Sequence, residues 1–120
     1  MNDYHIEAKN INNSLVFYRA LFDLMPIMLS DSMTQFRLKD FSLTIEERNE
    51  LTKNEDIMFF RLQEDAVMAA YRRVERFFGK EKWLENCEKL EDTFGITDPD
   101  GNRWQVGNPE SIIPFEKCYF

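Results

Sequence analysis

A tight turn between two alternating segments is the feature that most constrains how this chain can fold. Asp98-Pro99-Asp100-Gly101-Asn102 combines a proline, which presets φ at the second turn position, with residues that tolerate positive φ. Apolar and polar residues alternate before it, from Phe94 to Thr97, and after it, from Arg103 to Val106. A period of two indicates strands with one buried face. The stretch therefore predicts an antiparallel hairpin.

The rest of the chain has an order of elements that occurs twice. A strand over 3–9 precedes a helix that we expect to be capped within 12–14 and ended by Pro26, and three strands follow, ending near Glu46. The polar run 47–55 is the predicted connecting loop. A strand over 57–62 and a helix ended by Gly79 then precede the hairpin. For 80–93 the sequence does not distinguish an irregular strand from a helical turn.

Each predicted helix carries one apolar stripe, at spacings of three and four residues. In the first helix the stripe is Leu15, Tyr18, Leu21, Phe22 and Met25, and in the second it is Val67, Tyr71, Val74 and Phe78. The other face of the second helix carries Arg72, Arg73 and Arg76. We expect these three arginines to form a solvated stripe.

Length and composition restrict the function classes. The 120 residues fit one domain, and a net charge of −7 argues against nucleic acid and anionic membranes as partners. No apolar run approaches the roughly 20 residues of a membrane span, and no secretory signal is visible, so we expect a cytoplasmic protein. Cys87 and Cys118 match neither a metal motif nor a disulfide framework, and are expected to be reduced thiols.

Two motifs resemble those of a known superfamily. Ser14-Leu15-Val16-Phe17-Tyr18-Arg19-Ala20-Leu21-Phe22 is similar to the opening of the first helix in the vicinal oxygen chelate superfamily, which includes glyoxalase I, bleomycin-resistance proteins and extradiol dioxygenases. Asp98-Pro99-Asp100-Gly101-Asn102 is similar to the turn before its last strand. Either motif alone is weak, but together, about 80 residues apart in this order of elements, they are specific.

The resemblance implies an α+β fold of duplicated βαβββ units that form an open, curved β-sheet cleft, with the helices packed outside. We expect one domain over 1–120, with units of approximately 1–46 and 55–107 and a C-terminal tail over 108–120. The resemblance also implies a homodimer. The ligand is expected to lie in the cleft.

The resemblance also locates the positions that hold a metal ion in metal-dependent members. They fall on Asp3, Thr44, Ile57 and Gln105. Because Ile57 has no lone pair, and Thr and Gln are poor ligands of divalent transition metals, we expect no metal ion and no other cofactor. A displaced site formed by His5 and Glu46 is the alternative, with His5 able to act as a general base near neutral pH.

Strand parity predicts which side chains face the cleft. The candidate ligand-binding residues are His5, Glu7, Glu46, Phe59, Arg61, Arg103 and Gln105. Trp104 has the opposite parity and is expected in the core. Glu46 and Glu47 are adjacent on a strand and face opposite sides, which excludes a cooperating carboxylate pair.

These residues lead to three functional hypotheses. The first is a metal-free protein that binds a small molecule, sequestering an antibiotic or a metabolite in the manner of bleomycin-resistance proteins. The second is a lyase, isomerase or dioxygenase of the same superfamily with the displaced site around His5 and Glu46. The third is a dimeric interaction module whose cleft is closed by the tail segment 115–120.

Overall fold

The computed structural model describes residues 2–78 and 93–107. The first sheet contains β1 (Asn2–Ala8), β2 (Ile27–Ser30), β3 (Met33–Arg37) and β4 (Phe41–Glu47), and helix α1 (Ile11–Phe22) connects β1 to β2. The spatial order is β1-β4-β3-β2. β1 and β4 are parallel, whereas β3 is antiparallel to both of its neighbours.

The second sheet repeats this arrangement in the described residues. β5 (Ile57–Arg61), α2 (Glu64–Phe78), β6 (Thr93–Thr97) and β7 (Arg103–Gly107) follow in the chain, with the spatial order β5-β7-β6. β5 and β7 are parallel, as β1 and β4 are, and β6 and β7 form the predicted antiparallel hairpin. The fold class predicted from the sequence is confirmed as a mixed α+β fold with two open sheets and two helices. The segment left open, 80–93, lies outside the described residues except for Thr93, as does the tail.

One aromatic cluster joins the two sheets. The ring of Phe22, on α1, lies 5.4 Å from that of Phe36 in the first sheet and 5.0 Å from that of Phe60 in the second. The fully buried Trp104 ring lies 5.6 Å from Phe22, which confirms its predicted core position. Such edge-to-face pairs stabilise a core beyond the area that they bury. Helix α1 therefore packs against both sheets.

The two sequence motifs meet in this core. The hydroxyl of Tyr18, in the helix motif, donates to Oδ2 of Asp98, in the turn motif, at 2.6 Å, and accepts from Nε1 of Trp104 at 2.9 Å. Asp98 also accepts from the backbone N–H groups of Asp100 and Asn102, and from the Asn102 side chain. The motifs thus tie the first helix to the last hairpin.

Burial governs the ionisation of this network. Burial raises the pKa of Tyr18 well above its ordinary value, and the Asp98 charge raises it further. Burial also raises the pKa of the Asp98 carboxyl, although the hydrogen bonds from Tyr18 and Asn102 oppose that shift. A phenol that stays protonated and a carboxylate with four donors suit a structural role.

The ends of α1 differ from the prediction. Asn10, rather than a residue in 12–14, is the N-cap, because its side chain accepts from the N–H groups of residues 12 and 13. The helix ends before Pro26, at a C-cap formed by Asp23 in the left-handed conformation, φ 53°. Met25 therefore lies beyond the helix and is 66% exposed, so its predicted place in the apolar stripe is wrong.

The predicted solvated arginine stripe on α2 is also wrong at one position. Arg73 donates through Nε to the carbonyl oxygen of Ala20 (2.8 Å) and through a terminal nitrogen to that of Leu21 (3.1 Å). The last carbonyls of a helix have no partner within the helix and attract cations. Arg73 therefore caps the C-terminal end of α1 and joins the two helices, whereas its neighbour Arg72 is exposed.

Candidate functional site

Three predicted site residues meet on the open face of the first sheet. Nε2 of His5, on β1, lies 3.5 Å from Oε1 of Glu46, on the adjacent β4. Arg48, one residue beyond β4, lies 2.9 Å from the carboxylates of both Glu7 and Glu46. Glu7 also accepts from the N–H of Thr52 at 2.8 Å. The two carboxylates thus share the guanidinium of Arg48, and the His5 imidazole lies beside the Glu46 carboxylate.

This arrangement shifts the ionisation of Glu46. The hydrogen bond from Arg48 lowers the pKa of the Glu46 carboxyl from its ordinary value, and the nearby His5 lowers it further. The adjacent Glu47 points to the other face, as predicted, and accepts from the N–H of Ile11 at the start of α1. The Glu46 carboxylate is therefore charged and already paired with the Arg48 guanidinium.

The positions that hold metal ions in the superfamily do not fit a metal ion here. Asp3 accepts a 2.6 Å hydrogen bond from Ser42, Thr44 accepts one from a neighbouring amide, and Ile57 offers no donor atom. Gln105, the fourth position, is only 1% exposed. No group of three His, Cys, Asp or Glu side chains within 2–78 and 93–107 has a geometry suited to a metal ion. One carboxylate beside a hydroxyl, an amide and an alkyl group is a poor set of ligands for a divalent transition metal.

The predicted site residues of the second sheet lie apart from those of the first. Phe59 and Arg61 share one face of β5 and are exposed, with 37% of the Phe59 residue accessible. Arg103 donates to the carbonyl oxygen of Glu55 at 2.7 Å. Gln105 lies opposite Phe59 in the β5–β7 register and is buried.

A cleft lies where the two sheets meet. The hydroxyl of Tyr4, on β1, accepts from the N–H of Phe59, on β5, at 3.4 Å. The cleft beside this contact has a volume of about 60 Å³ and is lined by Tyr4, Asp40, Phe41, Phe59 and Arg61. We call it the seam cleft. It brings together two of the predicted residues, Phe59 and Arg61.

Sequence reasoning missed Arg48, Tyr4 and Asp40. Arg48 lies in a polar run with no periodicity, so nothing in the sequence indicated that it returns to the sheet. Tyr4 has core parity and reaches the seam cleft only because the first sheet ends there. Asp40 gave one usable signal, since it was the predicted turn before β4, and a hairpin tip lies at the end of its two strands.

A larger groove lies on the helical side of the molecule. It has a volume of about 390 Å³ and lies at the C-terminal end of α1, beside Arg73 of α2. Its lining includes the exposed side chains of Val16, Leu24 and Met25. None of the predicted site residues borders it.

Comparison with known proteins gives relatives at low identity, and no family model matches the chain. The probable trivalent organoarsenical cleaving enzyme of Bacillus subtilis (strain 168) is 26% identical over 122 residues, covering 93% of this chain and 82% of that protein. The trivalent organoarsenical cleaving enzyme of Bacillus sp. (strain MD1) is 25% identical over 116 residues, covering 83% of this chain and 67% of that protein.

Solved structures agree on the fold. A glyoxalase/bleomycin resistance protein from Albidiferax ferrireducens T118 has a TM-score of 0.66 and 17% identity to this chain, and the match covers 88% of this chain and 95% of that one. The chain therefore has the glyoxalase/bleomycin-resistance fold of the vicinal oxygen chelate superfamily, as the two motifs predicted. In the described ranges, neither helix is long and apolar enough to cross a membrane.

Proposed function

We propose that this chain binds a small organic molecule on the open faces of its sheets, without a resident metal ion, and so sequesters an antibiotic or a metabolite. The observation that carries the proposal is the exposed ring of Phe59, which lines a cleft between charged side chains. Sites for small molecules combine apolar surface with a few polar groups that orient the ligand. In the seam cleft Phe59 supplies the apolar surface and Arg61 a polar group. His5 and Glu46 offer further polar groups on the open face of the first sheet.

The chemistry of the superfamily's metal positions supports a metal-free site. Asp3 is engaged by Ser42, Ile57 has no donor atom, and Gln105 is buried. On the open face of the first sheet, Glu7 and Glu46 are both paired with Arg48. A binding role that depends on shape and charge needs no further group.

The test is a thermal-shift screen of chelator-treated protein against a library of small organic molecules, with hits confirmed by calorimetry. We expect hits whose affinity falls in Phe59→Ser and is unchanged in the control Arg72→Gln, since Arg72 is exposed on α2. Elemental analysis after reloading with Zn²⁺, Ni²⁺, Fe²⁺ and Mn²⁺ should find little bound metal. One tightly held metal per chain, together with binding that chelation abolishes, would refute the proposal.

The second candidate function is an enzyme with an atypical site around His5 and Glu46. The names of both curated relatives favour it, since each is called an organoarsenical cleaving enzyme. The 3.5 Å separation of His5 from Glu46 would suit a general base oriented by a carboxylate. The assay is release of inorganic arsenic from a trivalent organoarsenical, with each of the four metals and without metal. Activity that disappears in His5→Ala would establish this candidate in place of the first.

We also propose that the protein is a cytoplasmic homodimer. Strand β2 lies at a sheet edge and exposes Ile27, Met28 and Leu29 at 44%, 54% and 47%. A run of exposed apolar residues on an edge strand favours association. Light scattering should give twice the mass of one chain, and Met28→Lys should shift that mass toward one chain.

A further inference from the structure

The seam cleft is lined by one cationic and one anionic side chain. Arg61, at the end of β5, and Asp40, at the tip of the β3–β4 hairpin, both line it. Both are exposed. Opposite charges that share one small cleft can form an ion pair, although exposed pairs contribute little to stability.

No such pair is present among the described residues. Within 2–78 and 93–107, neither Arg61 nor Asp40 has an ion-pair partner within 4.0 Å or a side-chain hydrogen bond. Three other arginines of these ranges are engaged: Arg48 by two carboxylates, Arg73 by two carbonyl oxygens and Arg103 by one. The cleft therefore presents a separated cation and anion.

The size and lining of the cleft limit what can occupy it. A volume of about 60 Å³ corresponds to roughly four water-sized sites, at about 15 Å³ for each. That space admits a head group of a few heavy atoms, and the rest of a larger ligand would lie outside it. Tyr4 and Phe59 line the same cleft, and as aromatic residues they can offer apolar surface to the part of the ligand that extends from the head group.

We infer that the seam cleft binds the head group of a small zwitterion of the α-amino-acid type, with its carboxylate at Arg61 and its ammonium at Asp40. Guanidinium is the cation best matched to carboxylate, and the separated pair suits a ligand whose ammonium and carboxylate are attached to one carbon atom. The apolar part of the ligand lies against Phe59. This inference rests on the proposed function and names the ligand class of that site.

The experiment is calorimetric titration of the chelator-treated protein with three probes that share one ring and chain. L-phenylalanine carries both charges, hydrocinnamate lacks the ammonium, and phenethylamine lacks the carboxylate. We expect L-phenylalanine to bind at least about tenfold more tightly than either of the others, because each lacks one charge-assisted contact.

Two charge-removing variants locate the contacts. Arg61→Gln should lower the affinities of L-phenylalanine and hydrocinnamate by about tenfold and leave that of phenethylamine unchanged. Asp40→Asn should lower the affinities of L-phenylalanine and phenethylamine by about tenfold and leave that of hydrocinnamate unchanged. Both side chains are exposed, so the variants should fold, which circular dichroism verifies. Arg72→Gln is the matched control and should change none of the affinities.

The outcomes separate this inference from the proposed function. Failure of L-phenylalanine to bind, or binding that neither variant weakens, overturns the zwitterion inference. If neutral or singly charged library compounds still bind in a Phe59-dependent way, the proposed function survives that failure. If no small molecule binds at all, both are wrong.

Discussion

Replacing Tyr18 by Phe tests the link between the two sequence motifs. The change removes one hydroxyl from the fully buried network and keeps the ring that packs against Phe22 and Trp104. It removes the 2.6 Å hydrogen bond to Asp98 and leaves the indole N–H of Trp104 without its acceptor. No other side chain has to move.

The magnitude follows from these two losses. A hydrogen bond to a charged acceptor contributes about 1.5–3 kcal/mol, and a buried donor left unpaired costs about 1–3 kcal/mol. The two losses share one hydroxyl and do not add fully, so we expect Tyr18→Phe to lower the free energy of unfolding by roughly 3 kcal/mol at pH 7. Tyr4→Phe is the matched control. Its hydroxyl accepts only a 3.4 Å contact, so the same chemical change should cost less than about 1 kcal/mol.

The pH dependence gives a second readout with a definite sign. The hydrogen bond from Tyr18 favours the charged form of Asp98, so its removal raises the folded-state pKa of Asp98 further. Between the two folded-state pKa values the folded variant binds more protons than the folded wild type. The stability of the variant relative to wild type therefore falls as the pH rises through that window. The cost of Tyr18→Phe should be smaller at pH 4 than at pH 7.

Urea unfolding followed by far-ultraviolet circular dichroism at both pH values measures these quantities. The slope with urea should match that of the wild type, which confirms that only stability has changed. The reasoning is refuted if Tyr18→Phe costs no more than Tyr4→Phe, or if its cost does not decrease at the lower pH.

Three further predictions concern contacts that the structure adds to the sequence. Arg73→Gln should lower the free energy of unfolding by about 1–2 kcal/mol in urea titration because two helix-end carbonyls lose their donor, whereas Arg72→Gln should stay within about 0.5 kcal/mol. Asn10→Ala should cost about 1 kcal/mol in the same assay through loss of the N-cap, and no measurable cost would contradict that assignment. Arg48→Gln should raise the pKa of Glu46, measured by carboxyl NMR titration, toward its ordinary value of 4.5. Because the wild-type pKa is lowered, the stability contributed by Glu46 is present above that ordinary value and is lost as the pH falls through the folded-state value.

The motifs that identified the fold are structural rather than chemical. Tyr18 and Asp98 are buried and hydrogen-bonded to each other, so neither side chain faces the cleft. A chain can keep both motifs while every residue of its ligand-binding site is different. This is why the motifs predicted the architecture and left the ligand open.

Part of the site could be predicted from strand parity alone. His5 and Glu46 were expected to face the same cleft, and their side chains lie 3.5 Å apart on neighbouring strands. Phe59 was expected to be on the opposite face from Met58 and Phe60, and it is exposed whereas they are buried. Alternation fixes the direction of a side chain, because successive Cβ atoms point to opposite faces. It does not fix which residue outside the strands will meet that side chain.

The sequence by itself determined the order of the elements and the hairpin, because each follows from a period or a turn residue within a few positions. The predicted single buried face of the hairpin strands was wrong, since β6 and β7 are buried on both faces. Only the tertiary structure decided that Arg48 pairs with Glu7 and Glu46, that Arg73 caps a helix about 50 residues away, and that Asp40 and Arg61 line the same cleft. These contacts depend on how the loops route the chain and how the two sheets meet. Loops carry no periodic signal, and long side chains take whichever partner the packed backbone brings within reach.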